Sequence, residues 1–200
     1  MEAAAGQRAI EGEKAARIVD AMRASVARRG VAASTFDHVA GEARVSRGLL
    51  HYYFGTKERL LAEVVRRDCE LRMHLIDEQL AGARSADDVI DGLVASLKSI
   101  VVNDPAPITL AFELFTSSRG NDEIAAELAE LLRRTREHVA ALLEAKEQDG
   151  VLCLHAPADA VADVLFAMVE GVAMRMLTEG ERDFGPTVAA GVRAARALIE

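Results

Sequence analysis

The sequence has few of the residues that staple small folds or interrupt helices. It contains two cysteines, four prolines and no tryptophan among its 200 residues. Cys69 and Cys153 belong to no CxxC or Cys/His ligand pattern, so we predict free thiols and no metal site. A chain of this length buries about 70% of its unfolded surface and needs no covalent staple.

Long hydrophobic runs and catalytic patterns are also missing. No run of eighteen apolar residues occurs, and residues 1–14 lack the apolar segment of a signal peptide. No HExxH motif, Glu-x-x-His pair, glycine-rich phosphate loop or nucleophile beside a base is present. We therefore expect a soluble, cytoplasmic protein with no membrane partner, no catalytic residues and no cofactor.

Charge is unevenly distributed along the chain. The net charge is −8, which alone argues against a nucleic-acid partner. Residues 1–67, however, hold 12 Lys and Arg against 8 Asp and Glu, a balance of +4, whereas residues 68–200 hold 12 against 24, a balance of −12. This asymmetry predicts different partners for the two parts, unless the charges are clustered by chance.

Apolar periodicity predicts an all-α fold of about nine helices. No segment alternates apolar and polar residues with the period of a strand. In a first helix over residues 11–29, Ile18, Met22 and Val26 recur every four positions, and Gly30 is expected to end it. Later helices are expected to start at Ser34 or Thr35, Ser46, Thr56, Ser85, the Pro-rich residues 104–107, Asn121 or Asp122, Pro157, and Gly185 with Pro186.

Three of the eight aromatic residues are consecutive within VSRGLLHYYFGTKERLL, residues 45–61. A short helix before Ser46, a turn of about three residues and the helix that Ser46 opens form a helix-turn-helix, which places its second helix in the DNA major groove. Val39 and Leu50 are spaced to hold the two helices together, so the side chain of Tyr52 is left on an outer face. The aromatic cluster is therefore predicted to face DNA in part.

The segment TFDHVAGEARVSRGLLHYYFGTKERLL resembles the DNA-binding motif of the tetracycline-repressor (TetR) family of bacterial transcriptional regulators. The resemblance covers about residues 11–67. The matching positions are Thr35, Val39, Ala40, Ala43, Val45, Ser46, Gly48, Leu50, Tyr53, Phe54, Lys57, Glu58, Leu60 and Leu61. Arg44 stands where the family usually has glycine, so the turn must either avoid a positive φ or accept strain of about 1 kcal/mol or more. His51 stands where tyrosine is usual.

The motif implies a set of residues that contact DNA. Hydroxyl groups, the lysine at the start of the fourth helix and free backbone N–H groups suit phosphate oxygens, whereas Arg47, Leu49 and His51 are candidates for reading base edges. Glycine near the start of the recognition helix lets the backbone approach DNA closely. The predicted DNA-binding residues are Thr35, Ser46, Arg47, Gly48, Leu49, His51, Tyr52, Tyr53 and Lys57.

The larger C-terminal part is expected to bind a small effector and to form a homodimer, as the resemblance implies. We predict a DNA-binding domain over residues 1–55 and an effector and dimerisation domain over residues 56–200, with helix four linking them. The predicted effector pocket comprises Thr109, Phe112, Glu113, Phe115, Met168, Met174 and Arg175, although Phe and Met at helical spacing are often core residues. Near-heptad spacing predicts a dimer interface at Val188, Val192, Ala195 and Ile199.

The sequence thus predicts a dimeric, ligand-responsive transcriptional regulator with an N-terminal three-helix DNA-binding domain. A repressor of this kind releases a pseudo-palindromic operator on double-stranded DNA when an apolar or aromatic effector binds, with Leu71 and Leu75 of helix four resting against the effector core. Arg175 is expected either to pair with an acid such as Glu170 or Glu179 at the dimer surface or to face an anionic ligand. An effector-independent helix-turn-helix protein is the alternative, and an all-α enzyme is a remote one.

Overall fold

The computed structural model describes the backbone of residues 2–200 and the side chains from residue 12 onward. Within that part the chain is all-α, as predicted, and contains no strand. Its nine α-helices are α1 (Glu2–Ala33), α2 (Phe36–Ala43), α3 (Arg47–Phe54), α4 (Lys57–Gly82), α5 (Ala86–Lys98), α6 (Ala106–Ser118), α7 (Asp122–Gln148), α8 (Ala158–Thr178) and α9 (Gly185–Ile199). A π-helical turn, Ser99–Asn103, continues α5. Across the described residues, no helix combines the length and the apolar character that crossing a membrane requires.

Polar N-caps open four of the helices where the sequence predicts them. Thr35 Oγ1 accepts the His38 N–H at 3.4 Å at the start of α2, and Ser85 Oγ accepts the Asp88 N–H at 3.2 Å at the start of α5. Each cap satisfies a backbone donor that has no partner inside its helix. Thr56 and Asn121 cap α4 and α7 in the same way.

The first helix is longer than predicted and kinked rather than ended by its glycine. It starts at Glu2, and Gly30 takes φ 74 and ψ 167 inside it, a conformation open mainly to glycine. Beyond the kink, the buried Ser34 hydroxyl lies 2.8 Å from the Gly30 carbonyl oxygen and 2.9 Å from the Ser25 hydroxyl. The helical turn after Gly30 is thus held by polar groups inside the protein.

The chain divides into two compact units that do not follow chain order. One consists of Met1–Asp68 with Thr109–Leu128, and the other of Cys69–Ile108 with Ala129–Glu200. Three helices, α4, α6 and α7, each contribute residues to both units. The sequence predicts a division between residues 55 and 56, which assigns residues 56–68 and 109–128 to the C-terminal part, whereas both segments belong to the first unit.

Each unit has its own apolar core. In the first, Ile18 and Met22 of α1 and Leu50 of α3 are fully buried, together with Leu60 of α4. The four-residue apolar spacing selects Ile18 and Met22, and the helix-turn-helix spacing selects Leu50. Burial of these side chains fixes α3 against its supporting helices. The core of the second unit is built from α5, α7, α8 and α9, with the chain between α7 and α8 added through Leu152.

Candidate DNA interface and ligand cavity

The turn between α2 and α3 has the left-handed residue that the motif calls for, although that residue is arginine. Arg44 lies at φ 53 and ψ 49, and it is the only non-glycine residue with a positive φ in the described chain. The Val45 N–H then donates to the Ala40 carbonyl at 3.0 Å, which closes the end of α2. Of the two possibilities set by the sequence, the turn accepts the strain.

The start of α3 leaves polar and small groups unused by the protein itself. Ser46 is the N-cap residue, yet its side chain makes no capping hydrogen bond with the described part of α3. A Cβ added to Gly48 would find only the Ser46 Oγ nearby, at 3.9 Å, so the packing of this chain does not require glycine there. Both features suit a surface that a ligand backbone approaches closely.

The outer face of α3 carries the predicted DNA-binding side chains. Tyr52 is 75% exposed and its ring meets the half-buried Tyr53 ring edge-on, with centroids 5.2 Å apart. Leu49 is half-buried. Arg47 Nη1 lies 3.0 Å from Asp37 Oδ2, and both side chains are exposed. Since exposed pairs of this kind contribute only about 0.2–1 kcal/mol, the guanidinium can leave Asp37 for DNA.

His51 is held in a defined tautomer. Its Nδ1 lies 3.1 Å from the Gly55 carbonyl oxygen, which can only accept, so Nδ1 carries the proton. The ring also packs edge-on against Phe36, with centroids 4.8 Å apart. A neutral His51 therefore presents Nε2 as an acceptor, which matches adenine N6 or cytosine N4, whereas donation to a base N7 needs the protonated ring.

Lys57 has a contact inside the protein that sequence reasoning missed. Its half-buried Nζ donates to the Val31 carbonyl, beyond the kink of α1, where helix carbonyls lack partners in their own helix. The sequence contains a sign of this contact. A lysine in the first turn of a helix is unfavourable to the helix dipole, which indicates that its charge binds a group outside that helix. Lys57 thus fixes the start of α4, and its remaining donors can point to phosphate.

The second unit contains an apolar cavity between α4, α5, α7 and α8. It measures about 750 Å³ including its opening to solvent. Apolar lining residues include Ile76, Val89, Leu93, Leu143, Leu165 and Phe166, and the polar ones are Arg72, Gln79, Asp88, Ser96 and Glu170. A mostly apolar wall with a few convergent polar groups is typical of small-molecule sites.

The charged groups of the cavity differ in their surroundings. Asp88 Oδ2 accepts the Arg84 N–H at 2.8 Å, and this hydrogen bond is the main cause that lowers the Asp88 pKa. Burial raises the pKa of Glu170, and the nearby positive charge of Arg72 opposes that rise. Glu170 makes no hydrogen bond or ion pair with any group from residue 12 onward, whereas the Asp88 carboxylate accepts a backbone N–H just before the start of α5.

The predicted pocket residues are not brought together at this cavity. Thr109, Phe112, Glu113 and Phe115 lie in the first unit, with Phe115 55% exposed, whereas the other three lie in the second. Arg175 Nη1 lies 3.3 Å from Glu179 Oε1 on an exposed surface, the acid pairing that the sequence offered as one possibility. Of the seven, Met168 lines a second, smaller cavity of about 440 Å³ between α5, α8 and α9.

The expected role of Leu71 and Leu75 on α4 needs correction. Leu71 and Leu75 are 56% and 58% exposed, so they do not rest against an effector core. The cavity face of α4 is formed instead by Arg72, Ile76, Gln79 and Leu80.

The four predicted interface residues on α9 face the interior of their own chain. Ala195 and Ile199 are 3% and 0% exposed within the core of the second unit, so their assignment to a dimer interface is wrong. Val188 and Val192 are half-buried and line the smaller cavity. The apolar stripe of α9 packs inside the same chain because α5 and α8 supply the matching surface.

An exposed recognition helix in a helix-turn-helix defines a DNA-binding protein. Comparison with known families gives the same class: the model described as bacterial regulatory proteins, tetR family, matches residues 18–64, and that of the tetracyclin repressor-like C-terminal domain matches residues 84–200. The chain belongs to the TetR family of bacterial transcriptional regulators, as the motif of residues 35–61 predicts.

Individual relatives of this chain are also transcriptional regulators. The HTH-type transcriptional repressor SCO4008 of Streptomyces coelicolor is 30% identical over 157 residues, which cover 77% of this chain and 73% of that protein. The HTH-type transcriptional regulator BetI of Rhizobium meliloti is 29% identical over 161 residues, covering 79% and 75%. A regulator from Saccharomonospora viridis, solved in complex with choline, shares the fold with a TM-score of 0.71 and 23% identity over 94% of this chain and 99% of that one.

Proposed function

We propose that this regulator is a repressor whose homodimer binds a pseudo-palindromic operator and releases it when a small molecule fills the cavity between α4, α5, α7 and α8. The observation that carries the proposal is the presence, in one chain, of an exposed recognition helix and an apolar cavity with a few polar groups in its wall. The related repressor of Streptomyces coelicolor supports the direction of control.

On the DNA side, the proposal assigns two roles to the face of α3. Tyr52, Ser46 and Lys57 position the protein on phosphates, and Arg47 with His51 reads base edges. In this assignment Arg47 must exchange Asp37 for a base, and neutral His51 prefers an amino group. The sequence preference is therefore set by groups on consecutive turns of one short helix.

A homodimer is supported by an exposed stripe on α8. Its residues recur at alternating steps of four and three, the spacing that keeps one face of a helix toward a partner. They are small or apolar and are exposed or half-buried in the protomer: Ala160, Val164, Ala167, Gly171, Met174 and Thr178. The exposed side of α9 adds Ala190, Ala194 and Ala197. Small side chains let helices of two subunits approach closely enough to form a four-helix contact.

One substitution tests this surface. Ala167→Glu places a carboxylate next to its own copy across the two-fold axis, so we expect it to yield monomers and to weaken operator binding. Ala141→Glu, on an exposed side of α7 outside the stripe, is the matched control. Sedimentation should show a halved mass for the first variant only; an unchanged dimer in both places the interface elsewhere.

Effector control is supported by the position of the cavity along the chain. Its wall includes α4 residues from Arg72 to Leu80, and the same helix begins at Lys57, beside the recognition helix. The choline complex of the Saccharomonospora viridis regulator supports small-molecule binding by this fold. A ligand that prefers the released state by about 1–3 kcal/mol would lower operator affinity about 5- to 150-fold.

Filling the cavity tests the effector site. Ser96→Phe places a ring in the cavity at little helix cost, because the helix propensities of Ser and Phe are similar. Ala95→Phe, on the exposed side of the same helix, is the control. We expect Ser96→Phe to lose effector-dependent release of a selected operator while Ala95→Phe keeps it. Release that persists in Ser96→Phe would place the effector elsewhere.

A further inference from the structure

The charges that line the cavity between α4, α5, α7 and α8 select the class of its ligand. They are one guanidinium, Arg72, and two carboxylates, Asp88 and Glu170, which give a formal lining charge of −1. Both carboxylates would repel an anionic ligand, whereas only the guanidinium of Arg72 would repel a cationic one. The acidic balance of residues 68–200 acts in the same direction, because it raises the local concentration of cations.

Only one of the two carboxylates is available to a ligand. Asp88 is occupied by backbone N–H groups at the start of α5. Glu170 lies in the apolar helix α8 and makes no hydrogen bond or ion pair among the described side chains and backbone. A carboxylate on an apolar wall without a direct partner is costly, and a cationic ligand removes that cost.

An aromatic ring accompanies this carboxylate. Phe166 precedes Glu170 by four residues on α8, the spacing that places two side chains on the same face of a helix, and both line the cavity. An ammonium group seated between them pairs with the carboxylate and lies within reach of the ring face. The surrounding wall of leucine, isoleucine and valine suits an apolar body attached to that group.

Arg72 is the group that opposes this arrangement. It is close enough to influence Glu170 electrostatically, but the two form no ion pair within 4.0 Å in the described structure. Its side chain is long and only half-buried, so the guanidinium can move toward water when a cation arrives. The Glu170 carboxylate then pairs directly with the ligand's ammonium group and no longer depends on the more distant guanidinium of Arg72.

We infer that the effector is an amphipathic organic cation, an apolar body bearing one amine or ammonium group, with Glu170 as its counter-ion and Phe166 beside it. This inference rests on the proposed effector role of the cavity.

Three probes of nearly equal size test the charge preference: 4-phenylbutylammonium, 4-phenyl-1-butanol and 4-phenylbutyrate. Calorimetric titration of the full-length protein should show the ammonium binding about tenfold or more tightly than the alcohol, as a charge-assisted hydrogen bond implies, and the carboxylate binding most weakly. Glu170→Gln should remove the advantage of the ammonium over the alcohol while leaving the alcohol's affinity unchanged. Glu144→Gln, on an exposed side of α7, should keep it.

The outcomes separate this inference from the proposed function. If the alcohol or the carboxylate binds at least as tightly as the ammonium, or if Glu170→Gln keeps the ammonium preference, the inference is overturned. Operator release by such a neutral or anionic compound, lost in Ser96→Phe, would still support the proposed function. Absence of saturable binding by all three probes overturns the inference, whereas operator release unaffected by Ser96→Phe contradicts the effector site.

Discussion

Replacing Arg44 with glycine should stabilise the protein, although it removes a side chain from a motif that contacts DNA. Arg44 lies at φ 53 and ψ 49, where a residue with a Cβ pays about 1–2 kcal/mol and glycine does not. Glycine also increases the conformational entropy of the unfolded chain, which offsets part of this stabilisation. The net increase in the free energy of unfolding is about 1 kcal/mol. For a chain of this size, such a difference shifts Tm by about 2–4 °C.

The comparison variant is Arg44→Ala, which also lacks the charge but keeps the Cβ. We expect Arg44→Gly to melt about 2–4 °C above Arg44→Ala when both are followed by circular dichroism at one pH and ionic strength. The difference between these two variants isolates backbone strain from charge. Equal melting temperatures, or a less stable glycine variant, would refute the account of this turn.

Three further predictions concern charge. Asp37→Asn frees Arg47 and should raise operator affinity about 1.5- to 5-fold in fluorescence anisotropy, the factor that corresponds to an exposed ion pair; an unchanged affinity would mean that Arg47 does not move to DNA. Lys57→Ala should lower Tm and also flatten the slope of log K against log salt by about one unit; a lower Tm with an unchanged slope would leave Lys57 a purely structural role. Burial raises the pKa of Glu170, so the folded ligand-free protein loses stability as pH rises from the ordinary carboxyl pKa, 4.5, through the raised pKa of Glu170. Glu170→Gln removes this ionisation. The variant should therefore melt at a higher temperature than the parent at neutral pH and at no higher temperature in acid.

The short-range parts of the structure could be predicted from the sequence. Thr35 caps α2, and the turn to α3 falls where the motif places it, because caps and turns depend on a few neighbouring residues. Burial of Leu50 and exposure of Tyr52 follow in the same way from positions on one short helix. The sequence predicts that the first helix ends at Gly30, but it does not show that the helix resumes after a kink at this residue.

The long-range parts could not be predicted, because apolar periodicity identifies a buried face without saying what covers it. Ile199 has the spacing of a subunit contact, yet it packs inside its own unit. Phe115 has the character of a pocket residue, yet it is exposed. The cavity is assembled from helices far apart in sequence, so no local pattern shows that Glu170 lines it.

Reciprocal coupling between effector and operator tests the central claim most directly. Once a compound that binds the cavity is in hand, its Kd is measured by calorimetry for the free protein and for the protein saturated with operator duplex. If the cavity controls DNA binding, the duplex must weaken the compound by the same factor by which the compound weakens the duplex, about 5- to 150-fold. An effector Kd that is identical with and without operator would contradict the account.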